Sequence, residues 1–259
     1  MSDWRLVSST IYGRPNDGKV FGFAELDMTH ALAYIEKKRA SGVKMTVSTL
    51  FTSVLARAMK ETPDVNAYVR RGRICKRDYV DVHLTVLADD AGNLVSLTIE
   101  HADQLSPDVL AAIFREKLTQ IRKEGAKPAG GFITKIPWPF RRWLFVLARF
   151  VVYDLGIELK PLGLHSRRFG SVMLTNVGSV GVDAAFGSLM PAASIPAIFG
   201  LGTLMDKPMV VDGVVVPRKA LTLTATMDHR IADGAHGGRL LWLIRKYVAK
   251  PELLDEPGA

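Results

Sequence analysis

The chain of 259 residues has a single cysteine, a shortage of acidic side chains relative to its lysines and arginines, and no uninterrupted apolar run approaching the ~20 residues that cross a bilayer. Cys75 alone excludes an intramolecular disulfide, and no cysteine/histidine cluster has the spacing of metal ligands, so the chain reads as metal-free. The start, Met1-Ser2-Asp3-Trp4-Arg5, is too polar for a secretory segment, which predicts a cytoplasmic protein. Nucleophile motifs are missing as well. There is no Gly-x-Ser-x-Gly elbow, no serine-histidine-aspartate order, and Cys75 lies in a basic segment without catalytic context. The acid deficit leaves 34 Lys and Arg against 26 Asp and Glu, a formal charge of +8. That balance favours an anionic partner such as a phosphorylated cofactor, nucleic acid or anionic lipid, without choosing among them.

What is present is enough apolar content, 48%, for one sizeable core, and residues 1–259 are expected to form a single domain. Val20 to Leu26 reads as a strand. Asp27-Met28-Thr29 then caps a helix with Ala31, Leu32 and Ile35 inward, ending near Gly42. Thr46 to Glu61 is a second helix with an apolar face of Leu50, Val54, Leu55 and Ala58, stopped by Pro63. Tyr79 to Leu87 and Leu94 to Ile99 read as strands around the turn Asp89 to Asn93, a hairpin or adjacent pair. Ser106-Pro107-Asp108 opens a helix running to about Gly125. Val210 to Val216, around Asp212-Gly213, is a hairpin feeding a strand whose Lys219 to Met227 alternates apolar and polar, the pattern of half-burial. Strands and helices alternate without a regular parallel repeat, which predicts an α/β two-layer sandwich with a mixed sheet and helices on one face.

Two regions resist this pattern. Ile136 to Leu159 is a dense apolar stretch broken by Arg141, Arg142, Arg149, Asp154 and Glu158. A helix buried in the core or between subunits is the favoured expectation for it, ahead of an interfacial helix with its arginines toward lipid headgroups. Gly178 to Pro196 is rich in Gly, Ala, Ser and Pro, as loops near a site or interface are.

The most informative run is Thr226-Met227-Asp228-His229-Arg230-Ile231-Ala232-Asp233-Gly234. It places His229 in the tight connection between the last strand and a helix opened by Asp233-Gly234, with Leu240, Leu241, Ile244 and Val248 at helical spacing beyond. An imidazole there can act as a general base. With no nucleophile in the chain, the group it activates belongs to a substrate, and a thiol suits it, with a pKa of about 8.5 near that of imidazole. Attack on a thioester creates an oxyanion that needs a donor, and Thr175 at the end of a strand offers a hydroxyl. For His236 a helix-capping or surface role is favoured.

The run Asp228 to Ala235 resembles the active-site signature of the dihydrolipoyl acyltransferase catalytic domains of 2-oxo acid dehydrogenase complexes and of the related chloramphenicol acetyltransferases. Val172 to Gly178 is similar to their strand bearing the oxyanion-binding hydroxyl. Lys207-Pro208 through Asp212-Gly213 resembles the hairpin before their catalytic strand, and Pro63 to Ala67 their segment after the second helix. Four matches in order cover most of the chain.

The resemblance implies a chloramphenicol acetyltransferase-like fold with the active site at a subunit interface of a trimer. His229 would deprotonate the thiol of coenzyme A or dihydrolipoamide. Thr175 stands where the family usually has a serine, Asp233 where a carboxylate holds the site together through an arginine near the N-terminus, here Arg5. Asn176 and Gly234 complete the supporting set. Coenzyme A or acyl-coenzyme A is the expected substrate, and with no lipoyl or subunit-binding pattern in the sequence no lipoyl group is expected on this chain. The partners implied are a homotrimer or larger assembly of trimers and a lipoyl-bearing or other acyl-carrier protein. Residues 136–159 are foreign to the family pattern and would line an acyl pocket, contact a subunit or dock on membrane. The alternative is a homologue that kept the assembly and lost catalysis. Arg70, Arg71, Arg73, Lys76 and Arg77 form a basic cluster, read as a solvated face or a site for coenzyme A phosphates in preference to a nucleic-acid surface.

Overall fold

Local periodicity and capping place most elements where the sequence predicts them; the computed structural model of the protein describes residues 18–87, 94–124, 136–138, 140–158, 167, 169–190 and 193–256. Strand β1 (Lys19–Asp27) leads into helix α1 (Thr29–Ala40), which buries Ala31, Tyr34 and Ile35. The Asp27 carboxylate accepts from the Thr29 amide (2.9 Å) and hydroxyl (2.6 Å), although Met28 holds the N-cap position. Helix α2 (Val47–Glu61) opens on a capping box between Thr46 and Thr49. It is buried over much more than the predicted face, including Phe51, Thr52 and Met59, because it runs through the middle of the helical layer.

A hairpin the sequence reading did not separate follows, β2 (Ala67–Arg70) and β3 (Arg73–Lys76), turned by Arg71 (φ 48°) and Gly72 (φ 74°). Both turn residues are left-handed, the conformation that joins two twisted strands through two residues. Strands β4 (Val82–Leu87) and β5 (Leu94–Ile99) pair antiparallel; the turn expected at Asp89 to Asn93 lies outside the described residues. β4 starts three residues later than predicted. Asp81, fully buried, instead takes a bidentate pair from Arg167 (2.9 Å to each oxygen) and the His101 amide (2.8 Å). Helix α3 (Pro107–Glu124) begins where Ser106 accepts from the Val109 amide.

Helix α4 (Phe140–Arg149) continues as a π-helical stretch, Phe150–Leu155, and ends at Gly156 (φ 74°). Then come β6 (Val172–Asn176), β7 (Ala197–Leu201), β8 (Met205–Val211), β9 (Val214–Asp228) and α5 (Gly234–Ala249). The β8–β9 turn is Asp212-Gly213, both at positive φ, as the hairpin reading requires. Among the described residues the main sheet has seven strands in the order β1-β9-β7-β6-β4-β5, with β8 also on β9; β4, β6 and β7 run parallel and the remaining pairs antiparallel. This is the predicted mixed sheet with helices on one face. Leu26, Leu84, Leu174, Leu221 and Leu223 meet Phe51, Leu55, Leu240 and Ile244 in one core.

Two expectations are corrected. β9 is not half-buried in its alternating stretch: Thr222, Thr224 and Thr226 are buried too. The loop after β6 lies over that second face, where the Thr224 hydroxyl donates to the Ala185 carbonyl (2.6 Å), and Met173 and Ile198 pack with Ala193, Ile195 and Leu189. Glycine makes this approach possible, since a Cβ on Gly202 would stand 1.9 Å from the Asp183 carbonyl oxygen. The apolar stretch at 136–159 is not a core helix of this chain. Arg141, Val152 and Tyr153 are buried, whereas Phe140, Trp143, Leu144 and Leu147 are exposed. No described helix is long and apolar enough to cross a membrane.

Candidate active site

His229 follows the last residue of β9, and its amide donates to the Gly18 carbonyl (2.6 Å), tying the turn to the start of β1. Buried Ile231 and Ala232 anchor the other side of the turn, with the Ile231 and Ala232 amides both donating to the Asp228 carbonyl (2.9 and 3.0 Å). The ring Nδ1 lies 3.0 Å from the Ala232 carbonyl oxygen. A carbonyl can only accept, so Nδ1 carries the proton and Nε2 is left with its lone pair. The ring is exposed, so a basic nitrogen faces outward from a rigid turn.

Asp228 and Arg230 brace the same turn. The Asp228 carboxylate accepts from the Arg230 amide (3.0 Å) and from its guanidinium (2.5 to 3.1 Å), which raises the Arg230 pKa above its ordinary value. Asp233 is the N-cap of α5. Its Oδ1 accepts from the Ala235 (3.0 Å) and His236 (3.1 Å) amides, and His236 Nδ1 stands 2.7 Å away. The His236 amide first, then its ring, hold the Asp233 carboxyl below its ordinary value. His236 is thus the capping residue the sequence favoured. Arg5, the expected partner of Asp233, lies outside the described residues. Gly234 is the first helical residue and has open space where a Cβ would be.

Thr175 is half-buried on β6, and alternation with core residue Leu174 puts its side chain on the helix-free face. Asn176 next to it points the other way: its Nδ2 donates to Ser48 Oγ (3.0 Å) near the start of α2, and its Oδ1 accepts from the Ser179 amide (3.2 Å). The end of β6 is therefore fixed by α2. Thr175 is level with Gly200 on β7, which is level with Thr224 on β9. His229 lies five residues further along β9, so at about 3.3 Å per residue and 4.8 Å per strand the two side chains are roughly 20 Å apart. One chain does not bring them together.

The basic cluster divides. Arg77 is interior, donating to the Ala67 (2.7 Å) and Ser194 (2.9 Å) carbonyls, which corrects the expectation of one solvated face. Lys76 pairs with Asp64. Arg70 Nε donates to the Asp154 carbonyl (3.1 Å), and Arg71 lines a cleft of ≈ 480 Å³ with Val69, Ile74, Arg149, Asp154 and Arg230. This cleft joins the β2–β3 hairpin and the 136–159 stretch to the residue after His229. The sequence reading missed Ala232, Ser48 and the Asp228–Arg230 pair. The first acts through its backbone carbonyl and the second through a long-range contact, so neither leaves a sequence signal.

The 2-oxoacid dehydrogenases acyltransferase (catalytic domain) family model matches residues 18–131 and 160–255 and breaks between them, across α4. Among curated proteins, the dihydrolipoyllysine-residue acetyltransferase component of the pyruvate dehydrogenase complex of Mycoplasma capricolum is 27% identical over 220 residues, 83% of this chain and 40% of that protein. The chain thus spans less than half of that relative's length. Among solved structures, Azotobacter vinelandii dihydrolipoamide acetyltransferase is similar with a TM-score of 0.71 at 22% identity, covering 98% of this chain and 91% of the other. Chloramphenicol acetyltransferase follows with a TM-score of 0.56 at 11% identity over 96% and 95%, so the fold is the chloramphenicol acetyltransferase-like one expected. With 210 of its residues inside the family match, the chain belongs to the catalytic domains of the 2-oxoacid dehydrogenase acyltransferases.

Proposed function

We propose that this chain transfers an acyl group between coenzyme A and a second thiol, with His229 as general base and Thr175 of a neighbouring subunit as oxyanion donor. The observation that carries this reading is the His229 Nδ1 to Ala232 carbonyl contact of 3.0 Å, which leaves an exposed Nε2 able to take a proton. Nε2 removes the proton of the acceptor thiol, and the thiolate adds to the thioester carbonyl carbon. The Thr175 hydroxyl donates to the oxyanion. Collapse breaks the original carbon–sulfur bond, and the departing thiolate takes the proton back from His229. Net, one thioester and one thiol become another thioester and thiol.

The separation of Thr175 from His229 supports a site shared between subunits, as the family signature implies, in a trimer or an assembly of trimers. Phe21 and Phe23, 57% and 70% exposed on the helix-free side of β1, offer apolar surface for such a contact. The cleft beside Arg230, with Arg71 and Arg149, suits the phosphates of coenzyme A. The second thiol is assigned to a lipoyl group on a partner protein, by analogy with the dihydrolipoyllysine-residue acetyltransferase relative. Residues 1–259 act as one catalytic domain, with 136–159 inserted.

The test is thiol release from acyl-coenzyme A in the presence of dihydrolipoamide. The wild-type chain should turn over, and His229→Ala should lose roughly 10²- to 10⁴-fold in kcat with its oligomeric mass unchanged. Undiminished turnover in that variant removes His229 from the mechanism.

A further inference from the structure

The helix α4 is turned inside out relative to an ordinary surface helix. Its buried residue is Arg141, 5% exposed, while Phe140, Trp143, Leu144 and Leu147 form a stripe at helical spacing that faces away from the protein, with Trp143 73% exposed. Phe150 extends the stripe beyond the helix, and Trp138 is exposed just before it. The orientation is fixed from below. Tyr153 donates to the Ala193 carbonyl (3.4 Å), and the Asp154 carbonyl and carboxylate accept from Arg70 Nε (3.1 Å) and the Arg71 amide (3.3 Å). A contiguous apolar surface held outward in this way marks an interaction site.

Charge identifies the partner. The chain carries a formal charge of +8, and α4 itself has three arginines and no acidic residue. Arg142 is exposed on the flank of the stripe. Two copies meeting through this face would bring two chains of formal charge +8 together, whereas an anionic lipid surface complements the net charge, Arg142 and the apolar stripe. Two tryptophans on the exposed side are the side chains that settle at a headgroup boundary. At ten residues, or about 15 Å, the helix can lie in such a boundary but not span it. The family match breaks across this helix, so the surface lies outside the matched catalytic sequence.

We propose that α4 docks the protein on an anionic bilayer, with Phe140, Trp143, Leu144 and Leu147 sunk into the headgroup boundary and Arg142 among lipid phosphates. The full chain should co-sediment with phosphatidylcholine vesicles containing phosphatidylglycerol roughly tenfold more than with phosphatidylcholine alone, and high salt should reduce the difference. Tryptophan emission should shift to the blue on binding. A Trp143→Glu, Leu147→Glu double variant should lose the binding while keeping its thermal melt and oligomeric mass. His229→Ala should bind vesicles as the wild type does, which keeps this inference separable from the catalytic one. Equal recovery with both vesicle types, wild-type binding by the double variant, or a fall in its oligomeric mass that identifies the stripe as a subunit contact would each overturn the proposal.

Discussion

Thr175 on β6 and His229 just past the end of β9 stand at opposite ends of one sheet with β7 between the two strands, Thr175 level with Gly200 and Thr224 and His229 five residues past that level. A base and an oxyanion donor must both lie about 3 Å from one reacting centre, so a single chain cannot supply both to one substrate. Complementation tests this directly. Chains carrying His229→Ala and chains carrying Thr175→Val should each be nearly inactive. Unfolded and reassembled together in equal amounts, they should recover activity at about a quarter of the interfaces, where the intact histidine of one meets the intact threonine of the other. No recovery in verified mixed oligomers would place both groups within one subunit's site.

The hydroxyl of Thr175, not its methyl, is the group the proposed chemistry uses. Thr175→Val keeps the volume and removes the donor, and kcat should fall roughly 10²- to 10³-fold with little change in KM. Thr175→Ser should retain most of the rate. Steady-state kinetics on the three proteins separates this from a packing role, in which serine would be the worse substitution.

Arg167→Ala should be among the most destabilising single changes on the surface of the fold. It strips the fully buried Asp81 carboxylate of a bidentate partner and leaves the His101 amide behind. Breaking a pair with one buried member costs about 3 kcal/mol. Urea unfolding should show that loss, and adding Asp81→Asn to the variant should recover part of it by removing the stranded charge. A loss near zero would mean water reaches Asp81.

Gly202→Ala tests how closely the loop after β6 rides on the sheet. A Cβ there meets the Asp183 carbonyl oxygen at 1.9 Å, a contact with backbone that no rotamer relieves. The variant should lose roughly 3 kcal/mol or more of stability. Gly234→Ala, with open space around it, should leave thermal stability of the isolated fold unchanged.

Acid should loosen the turn that holds His229 through Asp233. Its carboxyl is held below the ordinary 3.8 in the folded protein, by the His236 amide first and its ring second. The capping contribution is therefore fully present above that value and disappears as pH falls through the lower folded-state value. Exchange protection of the Ala235 and His236 amides should drop below about pH 4. Asp233→Asn, which caps without titrating, should show no such drop.

The elements legible in the sequence are those whose signals are local. The apolar face of Leu50, Val54, Leu55 and Ala58 with Pro63 beyond it announced α2, Asp212-Gly213 announced the β8–β9 turn, and Asp233-Gly234 announced α5. Burial was less legible. The threonines of β9 look solvent-facing because they alternate with apolar residues, yet Thr224 is covered by a loop whose Ala185 is 39 residues away in sequence. The tautomer of His229 depends on a backbone carbonyl, a group every residue carries, so no pattern could reveal it. The 136–159 stretch showed its composition but not its orientation, because an apolar stripe looks the same whether it faces a core or a surface.

By itself the sequence determined the α/β class, the caps and turns that bound α3, α5 and the β8–β9 hairpin, and the run Asp228 to Gly234 that places a histidine between strand and helix. These follow from backbone preferences and side-chain periodicity acting over a few residues. The tertiary structure alone decided which face of β9 is dry, which way the apolar stripe of α4 faces, and that Thr175 lies far from His229 within one chain. Those outcomes depend on strand order and register, and on contacts between residues distant in sequence, where neither partner's identity predicts the other.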